Sequence, residues 1–311
     1  MRLARVRSGL SESFDNVAVI VLDADGHTLF SSGSVDRPMF YRSAIKPFQA
    51  IAARRFGLDL PPEHLAISCA SHGGYPVHLA TVNAILENHG HTATDLLCTP
   101  ARPLGAEADR YQASRGRISP ERIFHNCSGK HAGWLATCTV ADLDPRTYID
   151  PTHPLQLAVL ETMREYSKVD PLPVGVDGCG APTLRGSVRS LATAFSSLTI
   201  TAEAQPVATA MASYGALVAD NVRPDGRLAV TWDGPVKVGA EGSVAFSHNG
   251  TAIAAKSESG ISAMAVAAAL HAAQIVGMLD DATAHAVADE ISPPVLGAGR
   301  QVGTTIVVDS P

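Results

Sequence analysis

Ser43 and Lys46 are the first pair of side chains whose types and spacing suggest catalysis. They lie three positions apart at the start of a helical pattern, which places the hydroxyl and the amine on one face of the helix. A lysine amine can take the proton of a serine hydroxyl when burial or a neighbouring cation lowers the lysine pKa. The pair therefore indicates a hydrolase with a covalent intermediate. The alternative is a helix-capping serine beside a solvated lysine.

A second hydroxyl, that of Ser71, lies in the glycine-rich turn Ser71-His72-Gly73-Gly74. The turn follows residues 65–70, an apolar run with the composition of a buried strand. A hydroxyl in a turn at the end of a strand can point into a cleft. An ordinary turn without a catalytic role is the alternative.

Two thiols, a lysine and a carboxylate form a third group of candidate residues. They lie in two glycine-containing segments, Asn126-Cys127-Ser128-Gly129-Lys130-His131 and Asp177-Gly178-Cys179-Gly180. Thiolate sulfur and carboxylate oxygen are zinc ligands, and Lys130 could join them only as a neutral amine. The alternatives are two unrelated turns with buried thiols, or a disulfide between Cys127 and Cys179.

Neither segment has the pattern of a nucleotide-binding loop. A phosphate loop requires a glycine five positions before the Gly-Lys pair, where this chain has Phe124. The glycines around Asp177 are in the wrong register for a dinucleotide-binding turn.

The composition is that of a folded globular protein, with 311 residues of which 46% are hydrophobic and 17% charged. A formal net charge of −6 without a marked Lys/Arg cluster argues against nucleic acid as a partner. We expect no secretory signal, and we expect residues 261–279 to form a buried helix instead of a membrane span. The odd number of cysteines, five, then favours reduced thiols and a cytoplasmic location.

Strand patterns lie near both ends of the chain, and helical patterns lie mostly between them. Strands are expected at residues 17–22, 28–31, 228–231, 235–238, 244–247 and 251–255. Helices are expected at residues 43–57, 76–88, 128–138, 153–167, 182–195, 203–219 and 262–278. This distribution predicts an α+β fold with an antiparallel sheet built from both termini and flanked by helices. We expect a single domain over residues 1–311, with a helical lobe in the middle of the chain.

Taken together, these motifs resemble the signatures of the third structural class of L-asparaginases, the Rhizobium-type enzymes of the asparaginase II family. The matching segments are Arg42-Ser43-x-x-Lys46-Pro47-Phe48-Gln49, Asn126-Cys127-Ser128-Gly129-Lys130-His131-Ala132-Gly133, Asp177-Gly178-Cys179-Gly180-x-Pro182, Lys237-x-Gly239-Ala240-Glu241-Gly242 and Ala254-Ala255-Lys256. The resemblance implies a fold like that of serine β-lactamases and serine-dependent glutaminases, in a homodimer.

The resemblance also implies a composition for the active site. The implied catalytic residues are two serine–lysine pairs, Ser43 with Lys46 and Ser71 with Lys256. The implied cofactor is zinc, held by Cys127, Lys130 and Cys179 with Asp177 close by.

Two segments depart from the family pattern. Where the family usually has Ser-His-Ser-Gly-Glu, this chain has Ser71-His72-Gly73-Gly74-Tyr75, so an acid is lost and a phenol is gained beside the second serine. The segment Ser213-Tyr214-Gly215 lacks the His-Pro that the family pattern contains. Both departures bear on substrate choice and rate, because the catalytic motifs themselves are retained.

The sequence therefore predicts hydrolysis of the side-chain amide of L-asparagine to L-aspartate and ammonia, with Ser43 attacking and Lys46 taking its proton. The reverse allocation, with the second serine as nucleophile, remains open. The candidates for binding the α-carboxylate and α-ammonium of this small-molecule substrate are Arg42, His131 and Glu241. The alternatives are another amidase or glutaminase of the same fold, and a non-catalytic metal- or redox-sensing protein.

Overall fold

The computed structural model describes residues 1–279 and 294–309 of the chain. Its strands are β1 (Arg2–Arg7), β2 (Leu10–Leu22), β3 (Thr28–Ser32), β4 (Met39–Phe40), β5 (Gly175–Val176), β6 (Pro182–Thr183), β7 (Arg185–Gly186), β8 (Val236–Gly239), β9 (Ser243–His248), β10 (Thr251–Ser257), β11 (Val295–Gly297), β12 (Arg300–Gly303) and β13 (Thr305–Asp309). The main sheet has the order β13-β1-β2-β10-β9-β8, with β3 also paired to β2. Each of these pairings is antiparallel. The expected antiparallel sheet built from both ends of the chain is confirmed.

Helices occupy most of the chain between β4 and β8. They are α1 (Lys46–Arg55), α2 (Pro62–Ser68), α3 (Pro76–Asn88), α4 (Ala106–Ser114), α5 (Ser128–Val140), α6 (Pro154–Ser167), α7 (Val188–Ile200), α8 (Gln205–Ser213), α9 (Gly215–Val218) and α10 (Pro224–Thr231), followed after the sheet hairpins by α11 (Ser262–Ile275). Helices therefore flank the sheet, as an α+β fold requires.

The sheet separates two hydrophobic cores. Successive residues of a strand point to opposite faces, so Ile20 and Ala254 belong to the core under the central helices. Their neighbours Val21 and Ile253 belong to the core under α11. The same alternation turns Lys237 and Lys256 toward the face of the central helices, where the candidate site lies.

Helix α11 packs its alanine-rich surface against the sheet, with Ala265, Ala268 and Ala272 fully buried. Small side chains allow a helix to approach a sheet closely, and they bury apolar area at little cost in side-chain entropy. None of the helices within residues 1–279 and 294–309 combines the length and the apolar character needed to cross a lipid bilayer.

Two segments that were expected to be strands are helical. Most of residues 65–70 belongs to α2, and residues 228–231 belong to α10. Each helix has a proline in its first turn, Pro62 or Pro224, where the missing N–H would have no helical partner in any case. Short apolar runs do not by themselves distinguish strand from helix, so these prolines were the more informative residues.

The helix expected over residues 182–195 begins later and ends later, as α7. Pro182 and Thr183 pair with β5 instead. Ser187 then caps α7, because its hydroxyl accepts from the Ser190 N–H while the Ser190 side chain accepts from the Ser187 N–H.

Candidate active site

Ser43 and Lys46 lie at the junction of a short 3₁₀ turn (Arg42–Ile45) and α1. The Lys46 backbone N–H donates to the Ser43 carbonyl, and side chains three residues apart in a 3₁₀ turn project in the same direction. Ser43 is partly exposed, whereas Lys46 is buried. The turn therefore presents the hydroxyl toward the surface above a buried amine.

The Lys46 amine connects a serine to a thiol. Its Nζ donates to the carbonyl of Ala70, lies 3.1 Å from the Ser71 Oγ and lies 3.2 Å from the Cys127 Sγ. Among the described residues, no hydrogen bond joins this amine to the Ser43 hydroxyl. The two serine motifs and the thiol motif, far apart in the sequence, therefore meet at one lysine.

Lys237 supplies the second amine at Ser71. Its Nζ lies 2.9 Å from the Ser71 Oγ and donates to the Val238 carbonyl at 2.8 Å. Burial, followed by the nearby charge of Lys46, lowers the pKa of Lys237 to about 7. Ser71 thus lies between two buried lysines, one of which titrates near neutrality.

The structure does not bring Lys256 to Ser71, although the family resemblance implies that they pair. The Lys256 amine donates to the Ser257 carbonyl, and the side chain lines a surface cleft. Lys256 lies on β10, two strands away from Lys237 on β8. The motif Lys237-x-Gly239 was the sequence signal for the lysine that actually contacts Ser71.

The two thiols meet at the start of α5. Cys127 is the residue before the first turn of the helix, and Lys130 lies in that turn. The Lys130 Nζ lies 3.2 Å from the Cys179 Sγ, and the Asp177 Oδ2 lies 3.9 Å from the same sulfur. Arg42 donates to Asp177 at 2.7 Å, which joins this cluster to the residue before Ser43.

The pKa values of the two thiols are shifted in opposite directions. The hydrogen bond from Cys179 lowers the pKa of Cys127 well below its usual value, and the Lys46 charge acts in the same direction against burial. The pKa of Cys179 is raised, first by sharing its proton with Cys127 and then by burial. Burial disfavours the Lys130 ammonium, yet the surrounding sulfur and carboxylate groups raise its pKa overall.

The same four residues fit a zinc ion by their chemistry. Two sulfurs with one nitrogen and one oxygen close by form the soft, four-donor set that zinc prefers. One of the sulfurs already favours the thiolate form that a metal requires. Lys130 would have to lose its proton to bind, so metal binding here would release protons.

The departure from the family pattern at residues 73 and 75 forms one packed unit. A Cβ on Gly73 would lie 2.7 Å from the Asp220 Oδ2 and 2.8 Å from the ring of Tyr75. A Cβ on Gly105 would also lie 2.8 Å from this ring. The phenol therefore fills space that a side chain at position 73 would need, which explains why glycine accompanies tyrosine here.

Asp220 and Arg223 were not identified from the sequence. Arg223 donates to the Ser71 carbonyl and forms a 2.8 Å ion pair with Asp220. Burial opposes ionisation of Asp220, but the Arg223 guanidinium and two backbone N–H groups hold its pKa below the usual value. The Ser71 N–H also donates to the Val218 carbonyl, so the turn is held from several sides. The only sequence signal was an acid and an arginine three residues apart.

The three candidates for substrate binding lie in different environments. His131 is fully buried, and its Nδ1 lies 2.8 Å from the Tyr148 hydroxyl, so it belongs to the core. Burial lowers its pKa well below the usual value. Arg42 and Glu241, in contrast, line the surface cleft together with Lys256.

The chain was compared with known proteins by sequence and by structure. No curated protein is similar enough in sequence to be matched to the chain. Among solved structures, it is similar to a β-lactamase from Mycobacterium bovis at 16% identity, with 88% of this chain and 92% of that chain covered and a TM-score of 0.42. It is also similar to a protein named Mglu at 16% identity, with 85% of this chain and 68% of that chain covered and a TM-score of 0.45. The sequence matches the L-asparaginase II family over residues 3–307, nearly its whole length. The chain therefore belongs to the L-asparaginase II family, and it is a hydrolase of the asparaginase type that acts on amide bonds.

Proposed function

We propose that the protein hydrolyses the side-chain amide of L-asparagine to L-aspartate and ammonia through an ester formed on Ser43. The observation that carries the proposal is the buried series Lys46–Ser71–Lys237, whose first member lies one turn after Ser43. Such a series can take the proton of the attacking hydroxyl and return it to the leaving ammonia.

A proton moves through these residues first away from Ser43 and then back to the leaving nitrogen. Lys46 first passes a proton through Ser71 to the neutral Lys237 amine. As the Ser43 Oγ bonds to the amide carbon, the Lys46 amine, now neutral, takes the proton of the hydroxyl. When the carbon–nitrogen bond breaks, the proton returns along the same path to the departing nitrogen, which leaves as ammonia. Water then repeats the attack on the ester and releases L-aspartate.

Ser71 is the alternative nucleophile, because it contacts both amines directly. The residue, however, is only 4% exposed. Ser43 is partly exposed and follows Arg42, which lines the surface cleft. A nucleophile must be reached by its substrate, so Ser43 is the better candidate and Ser71 the better relay.

We also propose a zinc ion held by Cys127, Lys130 and Cys179, with Asp177 as a fourth or neighbouring donor. When bound, zinc would supply a positive charge that orients or polarises a substrate oxygen. The residues themselves keep Arg42 in place through Asp177, and so couple the cluster to the turn that carries Ser43.

Three substitutions test the proposed catalytic residues. Ser43→Ala, Lys46→Ala and Lys237→Met should each lower kcat for ammonia release from L-asparagine, by roughly 10²- to 10⁴-fold, because each interrupts the attack or its proton path. Ser114→Ala is a matched control, since this hydroxyl is exposed and bonds only within its own helix turn. Near-normal rates in both Ser43→Ala and Lys46→Ala would rule out the mechanism.

Mass spectrometry identifies the nucleophile directly. The enzyme is quenched during turnover and digested, and an aspartyl ester is expected on the peptide that contains Ser43. An ester on the Ser71 peptide would instead assign attack to that residue. L-Glutamine and simple amides in the same assay test the amidase alternative, and zinc binding without ammonia release from any amide would favour a sensor.

The metal proposal is tested by elemental analysis of purified protein. Cys127→Ala and Cys179→Ala should each lose most of the bound zinc, because each substitution removes one of the two sulfur donors. Cys138→Ala is the control, since Cys138 is a buried thiol outside the cluster. Equal zinc content in all three variants would contradict the assignment.

A further inference from the structure

A cleft of about 600 Å³ opens beside the turn that carries Ser43. The charged side chains that line it are Arg37, Arg42, Glu241, Lys256 and Glu258. Charges of both signs therefore face one space next to the proposed nucleophile.

Two of these charges are already paired with each other. Arg37 lies 3.4 Å from Glu258, and Asn16 donates to the same carboxylate at 3.3 Å. Lys256 and Glu241, in contrast to Arg37 and Glu258, are not paired. Within residues 1–279 and 294–309 they form no ion pair with each other or with any other residue. The Lys256 amine donates only to the neighbouring Ser257 carbonyl. One positive and one negative group are therefore available to a ligand.

The backbone around the cleft is held in an unusual conformation. Arg42 and Glu241 have φ values of 51° and 62°, in the left-handed region that residues with a Cβ rarely adopt. A Cβ on Gly260 would lie 3.0 Å from the Glu241 Oε2, so the glycine leaves room for the carboxylate. Backbone strain of this kind is concentrated at ligand-binding sites, where it orients particular side chains.

The strand register separates Lys256 from the proton path. Lys237 lies opposite Ala245, which lies opposite Ala254, two residues before Lys256. Two strand spacings across and two residues along correspond to roughly 12 Å between the Cα atoms of the two lysines. Lys256 is therefore placed to hold a more distant part of a substrate than the group that reacts.

We propose that the cleft binds the α-carbon end of a free amino acid, with Lys256 on its carboxylate and Glu241 on its ammonium. This inference rests on the proposed function, because an amino acid held there extends its side-chain amide toward Ser43, the residue after Arg42. It makes the cleft the determinant that selects free amino acids over simple amides. An asparagine inside a peptide lacks both charges and is excluded.

Binding of product-like ligands tests the proposal without turnover. Calorimetry compares L-aspartate with succinate, which lacks the ammonium, and with β-alanine, which lacks the α-carboxylate. Glu241→Gln should weaken L-aspartate binding roughly 10- to 100-fold, because a charge-assisted hydrogen bond is lost, while succinate binding changes less than about threefold. Lys256→Met should remove the preference for L-aspartate over β-alanine, because the variant can no longer bind the α-carboxylate that β-alanine lacks. Glu258→Gln is the matched control, because its carboxylate is engaged by Arg37 and Asn16.

The outcomes separate this inference from the proposed function. Failure of the wild-type protein to bind L-aspartate, or equal effects of Glu241→Gln on aspartate and succinate, would overturn the cleft assignment. If either of these binding results is found but the protein still releases ammonia from L-asparagine, the cleft assignment is wrong and the proposed function stands. Selective L-aspartate binding that depends on Glu241, without ammonia release from asparagine, would support the cleft assignment and reject the proposed function.

Discussion

The pKa of Lys237 is lowered to about 7, chiefly by burial and next by the charge of Lys46. Of the other charged groups that face it, Arg223 lowers the pKa further, while Asp225 and Cys127 raise it. An acceptor with a pKa near the working pH is neutral in many molecules, yet basic enough to hold a proton during the reaction. Ordinary lysines do not meet this condition, because they remain charged far above neutral pH.

The activity should therefore depend on the protonation state of Lys237. Below pH of about 7 the side chain is charged and cannot accept a proton, so kcat/KM should fall as the pH is lowered and rise through about 7 as Lys237 becomes neutral. The measurement is a rate profile over pH of about 5.5 to 9. Lys237→Met should keep only residual activity without this acid limb.

Lys168→Met is the control for that profile, because Lys168 is an exposed lysine at the end of α6. It should retain both the rate and the acid limb. An unchanged acid limb in Lys237→Met would show that another group controls the pH dependence.

At the level of single residues, Gly73 and Tyr75 also show that family departures can be coupled by packing. The ring of Tyr75 occupies the space of a side chain at position 73, and Asp220 closes the other side. Restoring the family's serine at position 73 would therefore require the ring to move. The glycine at position 73 and the tyrosine at position 75 are thus one coupled structural change beside Ser71, not two independent ones.

At the level of elements, the close approach of α5 to α2 positions the thiol cluster. A Cβ on Gly129, in the first turn of α5, would lie 2.2 Å from the carbonyl oxygen of Ile67 in α2. Only glycine allows this contact, because a backbone oxygen cannot move aside as a flexible side chain can. The contact sets the depth at which Cys127 and Lys130 enter the site.

Gly129→Ala should therefore destabilise the protein, by about 1–3 kcal/mol or more, because the two helices must separate to admit the methyl group. Chemical denaturation measures this change in the free energy of unfolding. Gly178→Ala is the comparison, since the nearest atom to its Cβ would be the Arg42 Nη2 at 3.9 Å. Similar stability of the two variants would show that α5 adjusts without cost.

At the level of the whole molecule, the sheet built from both ends of the chain brings distant motifs together. Strands β2 and β10 are neighbours, and β8 lies two strands beyond β10, on the side away from β2. Lys237 on β8 thereby reaches the turn of Ser71, although 166 positions separate them. The contact between Lys237 and Ser71 therefore depends on pairing between distant parts of the chain.

The resemblance to the family predicts that two such chains associate. Sedimentation velocity should then give a mass of about twice the 32.4 kDa of one chain. The species should persist on dilution through the concentration range of the assay. A single species with the mass of one chain at every concentration would reject the homodimer.

Much of the fold was predictable from local patterns. Helix α3 has the expected bounds exactly, since Pro76 begins it and a clear amphipathic pattern continues to Asn88. The strands of the β9–β10 hairpin were predicted from two short apolar runs, residues 244–247 and 251–255, and the Asn249-Gly250 pair between them is a local hairpin signal. The apolar run before Ser71 was misassigned because a short apolar run does not distinguish strand from helix, and the signal for α2, Pro62, lies before the run. Packing against α8 and α5 then buries the helix.

The sequence by itself determined the reaction class, because its serine–lysine and cysteine motifs can be recognised from residue type and spacing alone. These motifs contain Ser43, Lys46, Ser71, Cys127 and Cys179. Only the tertiary structure decided which groups touch. It placed Lys237 and not Lys256 on Ser71, and it placed the Lys46 amine between Ser71 and the Cys127 thiol. The physical reason is that strand register and burial, which set amine positions and the pKa of Lys237, arise from contacts between residues far apart in the chain.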